Sequence, residues 1–157
     1  MASTRRWVLL AYRLPREPST PRIAIWRDLR RLGATQIADG VVALPLDART
    51  RERLEWLAEE ITDHDGEATI WLAEPANAAQ ERDLRERMTA AIVTEYAELA
   101  TQAKEAAMEP AGVRRRTLGR LRRELRRIRS RDYFAPPIAA RATSAVEDVS
   151  RSLEAVS

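Results

Sequence analysis

The sequence predicts an α+β fold: a ferredoxin-like βαββαβ antiparallel sheet over residues 1–75, then a helical hairpin extension over residues 76–157 that carries an arginine-rich helix. Three observations predict it. Short aromatic and β-branched runs alternate with helix-period segments in the order strand, helix, strand, strand, helix, strand. Asp39-Gly40 separates the two central strands, and that dipeptide is a strong local signal for a tight hairpin. Beyond Pro75 the strand-like runs stop and only helical periodicity remains.

Trp7 to Leu14, rich in Val, Leu, Trp and Tyr, is the first strand, and Pro15 ends it. Thr20 caps the first helix, whose first turn begins with Pro21, where a missing N–H costs nothing. Ile25, Leu29 and Leu32 give that helix one apolar stripe, and Gly33 closes it. Two short strands flank Asp39-Gly40. Asp47 or Thr50 starts a second helix with Leu54, Leu57, Ala58 and Ile61 on one face, ending near Gly66. Ala68 to Ala73 is the last strand. From Asn77 to Glu109 a long helical stretch repeats Leu84, Met88, Ile92, Tyr96, Leu99 and Ala103, until Pro110-Ala111-Gly112 breaks it. The arginine-rich helix follows. Its narrow seam of Leu118, Leu121, Leu125 and Ile128 suits antiparallel packing on the preceding helix. Tyr133-Phe134 and Pro136-Pro137 end it, and a weaker Ala- and Ser-rich helix is expected from Ile138 onward.

The strands are apolar on both sides. Val8, Leu10, Tyr12 and Leu14 can face the helices, but Trp7, Leu9 and Ala11 then point the other way, and Val41, Ala43, Trp71 and Ala73 repeat the pattern. A sheet with one wet face alternates apolar with polar residues. Something must therefore cover the second face, either the C-terminal helices or a second copy of the chain.

Composition removes several classes of function. No apolar run is long enough to span a bilayer, and the N-terminus lacks the apolar centre of a signal peptide. The absence of cysteine excludes disulfides and thiol catalysis and fits a reducing cytoplasm. One histidine, His64, leaves little for a metal site or a catalytic triad, and no phosphate loop or nucleophile elbow occurs. Neither cofactor nor resident metal is expected. The chain is read as non-enzymatic.

Charge is concentrated in one place. Ten arginines against the single acid Glu124 give Val113–Arg131 a net charge of +9, whereas the whole chain carries only +3. Arg114, Arg115, Arg116, Arg120, Arg122, Arg123, Arg126, Arg127 and Arg129 are the candidate DNA contacts, because neutralising phosphates releases condensed counterions. The competing arrangement pairs them with acids of the preceding helix, among them Glu95, Glu98, Glu105 and Glu109. Interleaved aromatics are missing, which favours duplex backbone over stacked single strands.

Trp7-Val8-Leu9-Leu10, the stretch Pro21 to Ala34, Asp39 to Pro45, Gly66-Glu67-Ala68 and the closing Arg131-Asp132-Tyr133-Phe134 resemble the N-terminal domain of ChrB-type chromate-resistance proteins. The resemblance runs from about Arg6 to Ala140, and its motifs are structural. The helix-plus-hairpin pattern is also similar to the ferredoxin-like domain of PaaX-type repressors. Membership would imply a cytoplasmic transcriptional regulator that binds double-stranded promoter DNA and responds to chromate. ChrB-type proteins usually carry a second, C-terminal domain for which this sequence has no counterpart.

Smaller features complete the reading. Arg22, Arg27, Arg30 and Arg31 on the first helix, with Arg13 and Arg16 nearby, are candidates for holding an oxyanion such as chromate, or else they solvate an outer helix face. Trp56 lies opposite the apolar stripe of its helix and, with Trp7 and Trp71, is a candidate interface residue of a homodimer. An assembly module built on the sheet face and Trp56 is thus the alternative function. Asp63-His64-Asp65 is more simply a polar helix end than a metal or catalytic cluster, and a nuclease using Asp39 or Asp132 has little support.

Overall fold

A computed structural model describes residues 5–155. The element order is β1 (Trp7–Arg13), α1 (Thr20–Leu32), β2 (Thr35–Ala38), β3 (Val41–Pro45), α2 (Ala48–Asp63), β4 (Glu67–Ala73), α3 (Ala78–Ala106), α4 (Ala111–Ser130) and α5 (Pro137–Glu154). The chain divides into two compact units that meet between Met88 and Thr89, inside α3.

In the first unit the four strands pair in the order β2-β3-β1-β4, with every neighbour antiparallel. This is the ferredoxin-like arrangement the sequence predicts. Val8 and Leu10 of β1 stand opposite Leu44 and Val42 of β3, and all four are buried. Ile25 and Leu29 of α1 and Leu54, Leu57 and Ile61 of α2 supply the buried helical layer. Gly33 ends α1 in the left-handed region, φ 79°, where a side chain would be strained. Asp47 and Thr50 both act at the start of α2. Asp47 is the N-cap, accepting from the Thr50 N–H at 2.8 Å, and the Thr50 hydroxyl accepts from the Asp47 N–H at 3.0 Å. The Thr50 hydroxyl also donates to the Pro45 carbonyl at 2.6 Å, pinning α2 to the end of β3.

At the hairpin Gly40 takes φ 73° while Asp39 does not share a positive φ, so the turn is not the doubly left-handed form, and a register shift falls between Gln36 and Ala38. The chain itself covers one end of the second sheet face, while Trp71, paired with Leu9 on that face, stays 59% exposed. Gln80 and Leu84, in the first turns of α3, close over Trp7, Leu9 and Ala43 around a small 70 Å³ cavity. Trp7 is 1% exposed as a result. Asn77 caps this helix through its side chain, which accepts from the Gln80 N–H at 2.8 Å.

The second unit is a three-helix bundle rather than a hairpin alone. Ile92, Tyr96, Leu99 and Ala103 of α3 meet the seam Leu118, Leu121, Leu125 and Ile128 of α4, and α5 adds Ala142, Val146 and Val149. The segment from Ile138, expected to be weakly helical, forms a full helix because its apolar residues recur at three- and four-residue spacing on one buried face.

Candidate nucleic-acid interface

The apolar seam fixes which way α4 turns its arginines. At 3.6 residues per turn, Arg115, Arg116, Arg123 and Arg126 fall in an arc of about 100° roughly opposite the seam, with Arg127 beside it. All five are exposed. Among the described residues, no hydrogen bond or ion pair within the chain ties Arg115, Arg116, Arg123 or Arg126. Arg127 pairs only with Glu124 on its own helix, at 3.2 Å.

The other arginines have structural partners. Arg114 lies along the seam, half-buried, and donates to the Ser152 hydroxyl at 2.9 Å. Arg120 donates to Gln102, Arg122 to Ser150 and Arg129 to Thr143, at 2.9, 3.0 and 2.8 Å. These acceptors are neutral, so the positive charge is left uncompensated. Among the described residues only Arg131 of this segment meets an acid of α3: one of its nitrogens lies 3.0 and 2.8 Å from the two Glu95 oxygens. Glu98, Glu105 and Glu109 form no ion pair with the arginine segment among the described residues.

Placement along the helix sharpens the contrast. Arg127 and Arg129 near the C-terminus complement the negative end of the helix dipole. Arg114, Arg115 and Arg116 stand near its positive end, with no acid in the first turn and no side-chain cap. That arrangement costs stability, and among the described residues no carboxylate forms an ion pair with these three arginines.

Elsewhere, Trp56 and Trp71 are 58% and 59% exposed, whereas Trp7 is spent in the core and presents no surface. The Arg53 guanidinium lies over the Trp56 ring, 5.9 Å from its centroid. Arg22 lines an open cleft with Arg13 and Arg16. Arg27, Arg30 and Arg31 do not line it. Arg30 and Arg31 occupy the last turn of α1, where cations suit the helix dipole, and Arg31 is 3.6 Å from Asp28. Trp26 lines the same cleft and was not singled out by sequence; it directly follows the buried Ile25, which aims it outward.

His64 is the C-cap of α2 and Asp65 takes φ 64°, so this polar trio forms a helix end. Among the described residues no three His, Asp or Glu side chains are grouped to hold a metal ion. Both Asp132 oxygens are occupied, one by the Tyr96 hydroxyl and the other by the Phe134 and Ala135 amides. Among the described residues no helix is long and apolar enough to cross a membrane.

The family model described as Protein ChrB, N-terminal, matches residues 22–111, from α1 to the first residue of α4. The chain belongs to the ChrB family. Protein ChrB of Cupriavidus metallidurans is 30% identical over 152 residues, covering 94% of this chain and 46% of that protein. The chain thus spans about half the length of this ChrB relative, and the shared stretch leaves too little outside it to omit α4. No solved structure matches.

Proposed function

We propose that this chain is a non-enzymatic, DNA-binding transcriptional regulator of the ChrB type, working in the cytoplasm as a homodimer and linked to chromate resistance. The outward arc of α4 supplies duplex affinity through Arg115, Arg116, Arg123, Arg126 and Arg127. One observation carries the reading: four of these guanidinium groups have no partner in the chain among the described residues, so their charge remains open to a polyanion. Chromate response follows from family likeness, with Arg22 the predicted oxyanion residue that lines a cleft.

The test is fluorescence anisotropy with labelled duplex DNA across a salt series. Five phosphate contacts give a log–log salt slope of about −4.5. Replacing Arg115, Arg116, Arg123 and Arg126 with glutamine should abolish most binding while circular dichroism stays unchanged. Undiminished binding by that folded variant refutes the assignment. Exposure of Trp56 and Trp71 favours a second reading, an assembly module. Under it, DNA affinity is negligible at physiological salt and polar replacement of either tryptophan changes oligomer size.

A further inference from the structure

The cleft containing Arg22 has a composition that the DNA reading does not use. It is an open cleft of about 920 Å³ in the first unit, between the end of β1, the start of α1 and the β2–β3 turn. Arg16 and Arg22 line it, and among the described residues neither makes a hydrogen bond or ion pair within the chain. Arg22 lies near enough to Tyr12 to oppose the upward pull of burial on its phenol. Ile23 and Trp26 add apolar surface; they are 54% and 44% exposed, although both belong to the helix that supplies the core residues Ile25 and Leu29. Asp39, at the hairpin tip, adds a carboxylate acceptor.

These groups divide the cleft into two kinds of surface. Two unpaired guanidinium forks and a phenol suit a dianionic head, since forked charge-assisted hydrogen bonds match phosphate geometry. The indole and Ile23 suit a flat ring, and Asp39 suits a donor on that ring or on an attached sugar. The volume falls within the range of organic-ligand pockets and far exceeds what a lone tetrahedral anion fills. We infer that this cleft binds a ring-bearing phosphate monoester of the nucleoside monophosphate class, its phosphate on Arg16 and Arg22 and its ring against Trp26. The ligand can be a free nucleotide or the 5′-phosphorylated end of a nucleic-acid strand. The inference shares no residue with the arginine arc of α4, so it and the DNA reading can fail separately; it shares Arg22 with the oxyanion assignment, and the chromate titration decides between those two.

The experiment follows the Trp26 indole N–H resonance of the full chain, assigned by its loss in W26F. Separate titrations use adenosine monophosphate, adenosine, inorganic phosphate, chromate and a 5′-phosphorylated tetranucleotide. Adenosine monophosphate should shift the resonance with a Kd below about 1 mM, and phosphate, chromate and adenosine should each bind at least about tenfold more weakly. R16Q/R22Q should weaken adenosine monophosphate binding by about tenfold or more with an otherwise unchanged spectrum. Tetranucleotide binding tighter than that of the mononucleotide assigns the cleft to strand ends; equal or weaker binding assigns it to free nucleotide. Two results overturn the inference. One is no shift with adenosine monophosphate up to about 10 mM, far weaker than such sites bind. The other is equal affinity for bare phosphate or chromate, which would make the ring surface irrelevant.

Discussion

The Tyr96 hydroxyl donates a 2.8 Å hydrogen bond to Asp132, joining the middle of α3 to the second residue past the end of α4. The neighbouring residues repeat the connection, Glu95 of α3 meeting Arg131. Together they set the register of α4 against α3, and with it the direction in which the arginine arc points. Asp132 also organises the turn that follows. Its other oxygen accepts from the amides of Phe134 and Ala135 at 3.1 and 2.9 Å, and Ala135 sits at φ 43°, a region a side chain enters only when held there.

Removing the phenol tests this clamp. Y96F should lower the unfolding free energy by about 2 kcal/mol, the usual loss for a hydrogen bond to a charged group. D132A should cost more, because the two turn amides lose their acceptor as well. Urea denaturation of both variants decides it. A smaller loss for D132A than for Y96F would show that the turn holds without the carboxylate.

Alkaline pH should act through the same residue. Burial, and then the hydrogen bond and charge of Asp132, push the Tyr96 phenol well above its ordinary value of 10, against the pull of Arg129 and Arg131. The folded state therefore keeps a proton that the unfolded chain releases. This contribution is fully present below the ordinary tyrosine value and is lost as pH rises beyond it towards the folded value. Burial raises Tyr12 too, so the first unit responds with the same sign. Stability measured from pH 8 upward should decline above about 10, and Y96F should flatten that decline. Identical pH profiles for Y96F and the parent would remove Tyr96 from the explanation.

The ferredoxin-like order was legible because each element carries its own local signal. Gly33 had to end α1, Asp39-Gly40 had to turn the hairpin, and the two-sided apolar strands required a cover. The source of that cover was not legible. Trp7 reads as an interface residue until Leu84, 77 positions away, is found lining the same small cavity. The arginine helix was legible as charge and seam, and the seam settles which arginines face outward. Sequence could not show that Arg120, Arg122 and Arg129 meet neutral oxygens on α3 and α5, because that depends on how the bundle packs. It grouped Arg22 with Arg13 and Arg16 but gave no hint that Trp26 and Asp39 join them in one cleft, because the β2–β3 turn brings Asp39 to the start of α1.

Arg131 and Arg123 should respond to substitution in opposite ways. Arg131 and Glu95 have side chains only 21% and 33% exposed, so R131Q leaves a half-buried carboxylate short of its partner and should cost about 1–2 kcal/mol. R123Q removes an exposed cation without an intrachain partner and should change stability by no more than about 0.5 kcal/mol. In DNA titrations the order reverses, R123Q reducing the salt slope by about 1 and R131Q leaving it nearly unchanged. Thermal melts beside anisotropy titrations separate the two, and a stability loss in R123Q would mean that the outer arc is part of the fold.

Gly119 supplies the last test. It lies in the interior of α4, on the same arc as the unpaired arginines, where glycine costs about 1 kcal/mol relative to alanine. The fold does not demand it. A methyl group placed there meets only the Arg123 guanidinium, at 3.6 Å, an ordinary contact. G119A should therefore raise stability by about 0.5–1 kcal/mol. If a phosphate backbone runs along this arc, the glycine lets it approach the helix closely, and the added methyl should weaken DNA binding even though every arginine remains. A variant that is more stable and binds DNA less well places the nucleic acid on this face of α4. One that is more stable and binds equally well puts the DNA on another face of the bundle.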